Sequence, residues 1–496
     1  MDKKIDFESE FLEDVGEQIA YRPLRPSVLN ELQDHIEDRT EEYEAAGLSP
    51  EMARRKAVAS MGDAVSIGTQ INAVRCVRSN WPLVFLTVLL VLAGWAAASF
   101  MQWTPEQTAN GFLYYLPGIA FLVFITFKGY PWLIRYQTKI LALSAGLFLA
   151  GAVFLILWRM DIVSPEMACF PFFSPWSIIF YYLYYGTLLL GPILAILLYR
   201  MRRNVKKAFW VLALLAATPV LLNMLAHNSF WGTSAVTVFL CSMAGTLLFM
   251  IYQGVFPGSM RRLFVPAALG CFLVLGIYAL LPDQSFYFKV FAQPETMAGD
   301  PWDDAYNSVL MKELLSKTPV LGGIQLTPEE MMEYGSGLWY FDTDTATPPQ
   351  YINFDEADVT LWDILPQHYH NNYLIAVIIL LFGWLPGILF LSLVAAFFWF
   401  LFSCIRQIHG NLASVVSFYC GLCLLFQSIL YILGNFGFQY GAFPNLPLIS
   451  EGKVSILVNV LLLGFIFSAY RYDRVIDEPV CKETISQKEA HDAAAL

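Results

Sequence analysis

The chain has 496 residues, of which 57% are hydrophobic, 16% aromatic and only 14% charged, whereas soluble domains carry about a quarter charged side chains. Its formal net charge is −11, and the charges crowd into a few blocks separated by apolar stretches long enough to cross a bilayer. These figures exclude a soluble multi-domain enzyme and a nucleic-acid-binding protein, and they point to an all-α, polytopic membrane protein.

Residues 1–79 are polar. Up to Val74 they hold 16 acidic against 8 basic side chains. Val28, Leu32 and Ile36 recur at helical spacing. Gly47 stops that helix, and Ser49-Pro50 starts the next with a capping side chain and a proline in its first turn. Met61-Gly62-Asp63 closes one helix and caps another. No apolar run of signal-peptide length occurs here, so the first span is expected to direct insertion itself.

The run Glu31-Leu32-Gln33-Asp34-His35-Ile36-Glu37-Asp38, followed by Gly47-Leu48-Ser49 and Met61-Gly62-Asp63, resembles the small helical "permease prefix" domain of bacterial membrane proteins. That resemblance implies a cytosolic module for regulation or partner contact. A plain solvated helical extension is the alternative.

From residue 82 the apolar segments follow one another at lengths set by the bilayer, about 20 residues for about 30 Å of hydrocarbon. Ten spans are expected: Pro82–Phe100, Gly111–Phe127, Ile140–Trp158, Ser177–Tyr199, Ala208–Leu225, Ser234–Tyr252, Leu263–Leu281, Tyr373–Ser403, Leu412–Leu433 and Val454–Tyr470. Tyr373–Ser403 exceeds one straight crossing and is read as a single span kinked at Gly383-Trp384-Leu385-Pro386-Gly387. The bias of Lys and Arg toward cytoplasmic loops fixes the orientation. Arg75 and Arg78; Lys128, Arg135 and Lys139; Arg200, Arg202, Arg203, Lys206 and Lys207; Arg261 and Arg262; Arg406; and Arg471 and Arg474 all fall on one side. Both termini are therefore expected in the cytoplasm.

The outer loop, residues 282–371, holds 15 acidic side chains against Lys289, Lys312 and Lys317, a solvated acidic face that suits neither nucleic acid nor an anionic surface. Residues 475–496 read as a disordered polar tail. Of the eight cysteines only Cys169 is placed outside, so no disulfide framework is expected. Cys420-Gly-Leu-Cys423 has the spacing of a redox or metal motif, but inside an apolar span the two read as small buried hydrophobes. No Asp, Glu, Lys or Arg lies in the interior of any span. Ion-coupled transport usually keeps such groups at membrane depth, so chemistry is expected where the outer loop meets the helix ends. That place suits a substrate with a lipid tail and a polar head.

Leu365-Pro366-Gln367-His368-Tyr369-His370-Asn371-Asn372-Tyr373-Leu374-Ile375-Ala376-Val377, followed by Gly383, resembles the Leu-Pro-Glu-x-His-Thr-Asp-Phe-Ile-Phe-Ala-Val signature of the SEDS (shape, elongation, division and sporulation) family, with one inserted residue. Other pieces resemble that family in the same order: Gly232-Thr233 after His227-Asn228; Tyr306, Ser308 and Leu321-Gly322-Gly323; Phe426-Gln427; and Leu446-Pro447-Leu448-Ile449-Ser450-Glu451-Gly452. The similarity covers about residues 82–474.

The resemblance implies a bacterial plasma-membrane glycosyltransferase that polymerises lipid II in cell-wall synthesis and pairs with a class B penicillin-binding protein. Its partners would be a lipid-linked precursor, that protein and membrane lipid. A divalent cation at the diphosphate is the open cofactor question, and no metal ligands are assigned. The base that takes the acceptor hydroxyl proton is an Asp in the family. The aligned residue here is Asn372, whose amide does not accept a proton at neutral pH. The family's following Gly-Glu-Glu is Ile379-Leu380-Leu381. His370 and Asp363 are the replacement candidates. The plainer readings are a hydrated or aromatic-packed histidine at a helix start and one more member of an acidic loop. Gln427, Ser450 and Lys453 are the candidate substrate contacts. Gln427 otherwise reads as an interhelical hydrogen bond and Lys453 as an interface anchor. Three functions follow: an active polymerase with a displaced base, a non-catalytic paralogue that binds precursor or scaffolds its partner, and a lipid flippase or permease.

Overall fold

The computed structural model describes residues 7–101, 105–163, 175–226, 230–256, 258–298, 304–335, 339–340, 350–351, 360–366, 369–449, 453–476 and 478. Helices α1 (Phe7–Gln18), α2 (Arg25–Ala45), α3 (Pro50–Met61) and α4 (Ala64–Val74) form the N-terminal bundle. Val28, Leu32 and Ile36 bury the inner stripe of α2. Asp63 caps α4 by accepting the Ser66 N–H at 2.8 Å. Ser49 makes no side-chain cap bond, contrary to the expectation, so Pro50 at the first helical position opens α3 without it. Val15, Ile19 and Leu24 share one apolar core with Tyr130, Ile408, Ala469 and Tyr472 at the ends of membrane helices. The bundle is thus packed on the membrane domain.

Next come α5 (Trp81–Met101), α6 (Pro105–Arg159), α7 (Pro175–Tyr181), α8 (Thr187–Arg200), α9 (Val205–Leu225), α10 (Phe230–Tyr252) and α11 (Gly258–Ala279). A π-helical turn, Tyr182–Gly186, joins α7 to α8. The segment read as an outer loop is itself mostly helical: α12 (Pro282–Ala292), α13 (Pro294–Met297), α14 (Asp304–Lys317), α15 (Pro328–Gly335), α16 (Leu361–Ile364) and α17 (Tyr369–Asn372). An antiparallel pair of two-residue strands, β1 (Trp339–Tyr340) and β2 (Gln350–Tyr351), lies between α15 and α16. The chain then runs through α18 (Leu374–Phe382), α19 (Trp384–Arg406), α20 (Asn411–Asn435) and α21 (Lys453–Tyr472).

Two expectations about the spans need correction. Residues 128–139, read as a loop, are helical. Residues 116–159 form one apolar helical stretch of 44 residues, about 66 Å at 1.5 Å per residue, twice the hydrocarbon thickness. Its only non-helical residue is Tyr136. Its neighbours show that the chain reverses there. Gly118 abuts Ile456 and the Tyr130 N–H donates to Ser468 Oγ, so this half runs parallel to α21. Thr138 bonds Arg200 at the end of α8, while Leu155 packs beside Ile179 of α7, so the second half runs antiparallel to α7 and α8. The kink therefore joins two crossings.

The second correction concerns residues 373–403, which are not one kinked crossing. Gly383, at φ 95° and ψ 174°, separates α18 from α19. Gly387 sits against the Ile379 side chain, residues that a straight helix would hold about 12 Å apart. The two helices are a hairpin, and α18 is a short re-entrant helix with Leu374 to Leu380 buried. The reversal leaves the parity of the crossings unchanged. Among the described residues seven helices are long and apolar enough to cross a membrane, or eight with the bent pair at α11 and α12 (94°), against the ten expected; the difference lies in the reversal at Tyr136, counted there within one helix, and in the shorter Trp81–Ala97. The protein is a polytopic, all-helical membrane protein.

Residues 475, 476 and 478, expected in the disordered tail, are placed against the membrane helices, beside Asp473 just before it. Asp473 accepts the N–H groups of His409 and Gly410 at 2.9 and 2.6 Å, and Glu478 accepts those of Leu412 and Ala413 at 2.8 and 2.9 Å. Two carboxylates thus occupy the positive end of α20. The Tyr199 hydroxyl donates to Glu478 at 2.9 Å, which ties α8 to the same point.

Candidate functional site

The mouth of interest is where α17 meets α18. The first N–H groups of a helix have no partner within it, and here α20 supplies two of them from the side. The Leu374 N–H donates to the Tyr431 hydroxyl at 3.2 Å, and the Ala376 N–H donates to Asn435 Oδ1 at 3.0 Å. The same two side chains reach back to α17. Tyr431 donates to the Asn371 carbonyl at 2.6 Å, and Asn435 Nδ2 donates to the Asn372 carbonyl at 2.9 Å. Both are fully buried. Tyr373 adds a bond to Gln439 at 3.2 Å and an edge-on contact with Phe443 at 4.7 Å.

On the far side, α18 ends against the segment before α15. The Gly322 N–H donates to the Phe382 carbonyl at 3.1 Å and the Ile324 N–H to the Leu380 carbonyl at 2.7 Å. A Cβ on Gly323 would lie 2.9 Å from the Leu381 carbonyl oxygen, so this backbone approach requires glycine. Helices α17 and α18 also pack on α5. Leu446, Leu448 and Ile449 are buried, with the Ile449 backbone against Gly94 of α5. The segments with motif resemblance therefore meet in part: 321–323 borders the end of α18, and α17, α18 and Ile449 all border α5.

Asn372 is half-buried there, its backbone pinned by Asn435. Asp363 is exposed and already engaged, since the Thr360 N–H and hydroxyl both donate to its Oδ2, at 2.8 and 2.5 Å, in a capping box on α16. Gln427 is fully buried two turns below Asn435. It donates to the Cys423 carbonyl and to Asn459 of α21, at 3.2 and 3.3 Å, an interhelical bond. His370 lies in α17 and Lys453 opens α21; their side chains, like Ser450 and His227-Asn228, lie outside the described residues. Cys420 and Cys423 are buried in α20. Cys169 and Cys481 lie outside the described residues.

Among the described residues no three His, Cys, Asp or Glu side chains converge to hold a metal ion.

Tyr431 and Asn435 were not singled out in the sequence, although a signal for them is present. Gln427, Tyr431 and Asn435 form a polar stripe at four-residue spacing inside an otherwise apolar helix, and polar groups at membrane depth need internal partners.

Outside the bilayer, α14 and α15 are clamped together. Lys317 donates to Tyr334 at 2.6 Å and pairs with Glu330 and Glu313 at 3.0 and 3.3 Å. Bonds from Tyr334 and then Glu330 raise the Lys317 ammonium above its ordinary value. The Thr327 backbone N–H and then Lys317 hold the Glu330 carboxyl below its own.

These features define an all-helical membrane fold with a short helix, α18, folded back against α19 and bordered by a structured segment between α11 and α18. Neither a family model nor a curated protein matches the chain. Solved structures do share its fold. One concerns structural coordination of polymerization and crosslinking by a peptidoglycan synthase complex; a chain in it is 17% identical at a TM-score of 0.52, covering 80% of this chain and 99% of that one. The Thermus thermophilus rod shape determining protein RodA is 17% identical at a TM-score of 0.47, covering 80% and 98%.

Proposed function

We propose that this chain is a bacterial plasma-membrane protein of cell-wall synthesis with SEDS-type architecture and both termini in the cytoplasm. In this reading it holds a lipid-linked precursor at the α17–α18 mouth, beside a class B penicillin-binding protein, and does not use Asn372 as a base. The motif order in the sequence and the fold shared with a chain of a peptidoglycan synthase complex support the class. One observation carries the finer reading: the position of the family's acid is an amide, and the carboxylate of Asp363 is committed to capping α16. An amide orients a hydroxyl or a diphosphate oxygen by hydrogen bonding and leaves the proton in place. The spans free of formal charge in their interiors speak against coupled transport.

The test is lipid II polymerisation by the purified protein with its partner, run alongside precursor binding. Binding without polymer is expected for the native sequence, and some turnover for Asn372→Asp. Polymer from the native sequence that disappears in His370→Ala would overturn the non-catalytic reading in favour of a displaced base. Loss of both precursor and partner binding would overturn the class.

A further inference from the structure

Beneath the N-terminal bundle, where α6 reverses at Tyr136, lies a cavity of about 240 Å³. Tyr21 of the bundle closes it on one side and Tyr472 on another, their rings 5.8 Å apart. The floor is α6 just before its reversal, with Lys128, Trp132, Arg135 and Tyr136. Trp132 is 44% exposed, and the apolar Phe124 and Phe127 beside it are exposed to a similar degree. Tryptophan and tyrosine at the end of a crossing mark the headgroup level.

The cavity is basic and its charge is not neutralised. Lys128 and Arg135 stand seven residues apart on one face of α6. Arg471 borders them, its guanidinium 4.7 Å over the Phe127 ring and 5.6 Å over that of Tyr472. Among the described residues none of these three cations has a carboxylate within 4.0 Å, whereas nearby Arg78 pairs with Asp473 at 3.3 Å. Arg471 spends one nitrogen on Ser79 at 2.8 Å, and its buried Nε has no hydrogen-bond partner among the described residues. A buried guanidinium nitrogen without a partner costs free energy that an anionic oxygen would recover.

We propose that this cavity binds the phosphate headgroup of an anionic glycerophospholipid, with the acyl chains lying along the exposed Phe124–Trp132 face of α6. Lys128 and Arg135 supply the charge, Tyr21 and Tyr472 supply hydroxyl donors, and the lipid bridges the N-terminal bundle to the membrane domain. Basic pockets at helix ends on the side rich in Lys and Arg recognise such headgroups. The proposal does not depend on the function inferred above, because it uses neither the α17–α18 mouth nor any catalytic group.

The test uses the full chain in mild detergent with equal amounts of phosphatidylglycerol and phosphatidylcholine of matched chains. Native mass spectrometry counts the retained lipid, and a thermal-shift assay reads stabilisation. Phosphatidylglycerol is expected to be retained preferentially and to stabilise the protein. Retention should fall about fivefold for each cation removed in Lys128→Gln and Arg135→Gln, while Lys206→Gln with Lys207→Gln, on another helix of the same face, leaves it unchanged. Equal retention of the two lipids, an equal loss in the Lys206–Lys207 variant, or displacement of the lipid by excess inorganic phosphate would overturn the lipid assignment.

Discussion

Truncating Asn435 tests how the mouth is held. Asn435→Ala removes one acceptor and one donor that together satisfy the Ala376 N–H and the Asn372 carbonyl. The Tyr431 carbonyl that Asn435 also meets, at 2.9 Å, lies within α20, so its loss matters least. A buried backbone group left without a partner costs about 1–3 kcal/mol, so two cost about 4 kcal/mol, or a factor of about 1,000 in a local equilibrium.

Because α18 has only nine residues, and so short a helix is not stable alone, the loss should appear as local opening. Amide exchange at Leu374 to Val377 is the assay, with the centre of α20 as internal reference. Exchange should quicken by two to three orders of magnitude across that stretch and much less in α20. Tyr431→Phe removes the hydroxyl that Leu374 and Asn371 use, and the double variant should lose less than the sum of the singles, since both hold one junction. Acceleration below tenfold in Asn435→Ala, or strict additivity, would refute the idea that α20 caps α18 from the side.

Three further outcomes are expected. Gly383→Ala places a Cβ at φ 95° and 2.7 Å from the Val320 carbonyl oxygen, a conformation costing about 1–3 kcal/mol before the clash; it should lower the melting temperature in detergent and expose residues 318–324 to protease, and an unchanged cleavage pattern would contradict the hairpin. Glu478→Ala strips the bonds to Leu412 and Ala413 and should destabilise the start of α20 by about 2 kcal/mol, read as faster exchange there; equal protection in the variant would show that the 473–478 segment is not needed. The α14–α15 clamp should be pH-dependent. Glu330 is held below its ordinary value, so its contribution is present above the unfolded carboxylate range and is lost as pH falls through the depressed value. Lys317 is raised, so its contribution is present below the ordinary lysine range and is lost only as pH rises through the higher value. Cleavage between α14 and α15 that rises in acid and stays flat from neutral to mildly alkaline pH is the expected profile.

Much of the architecture was legible because hydropathy and helical period report burial directly. The Val28, Leu32 and Ile36 stripe and the apolar stretches became a packed helix and crossings. Hydropathy carries no direction, however. An apolar run from 373 to 403 looks the same whether it crosses once or folds back at Gly383, and only the glycine followed by Pro386 and Gly387 hinted at the break. The converse error arose at residues 128–139, where Lys128, Arg135 and Lys139 look like a loop but sit on helix because basic side chains are good helix formers that snorkel to the headgroups. Of the candidate site, the sequence named segments but not what holds them together. Tyr431 and Asn435 are distant in the chain from α17 and become partners only through the packing of α20. The 473–478 segment was hidden for the same reason: its carboxylates read as solvated until the start of α20 was there to receive them.

On the reading proposed above, residue 372 is where fold and catalysis separate. The bonds that place it run through its own carbonyl to Asn435 and through the Asn371 carbonyl to Tyr431, and among the described residues its side chain takes no part in positioning the mouth. Asparagine and aspartate have nearly the same shape, and exchanging them leaves this backbone arrangement as it is while changing whether the group carries an anion. The backbone bonds that hold α18 are therefore compatible with either side chain at 372. Asn372→Asp consequently tests chemistry with geometry held constant: the melting temperature and the exchange of Leu374 to Val377 should match the native protein, and any polymer formed would be owed to the carboxylate. A variant that loosened α18 would instead show that the side chain at 372 helps build the mouth, and the separation of shape from reactivity argued here would fail.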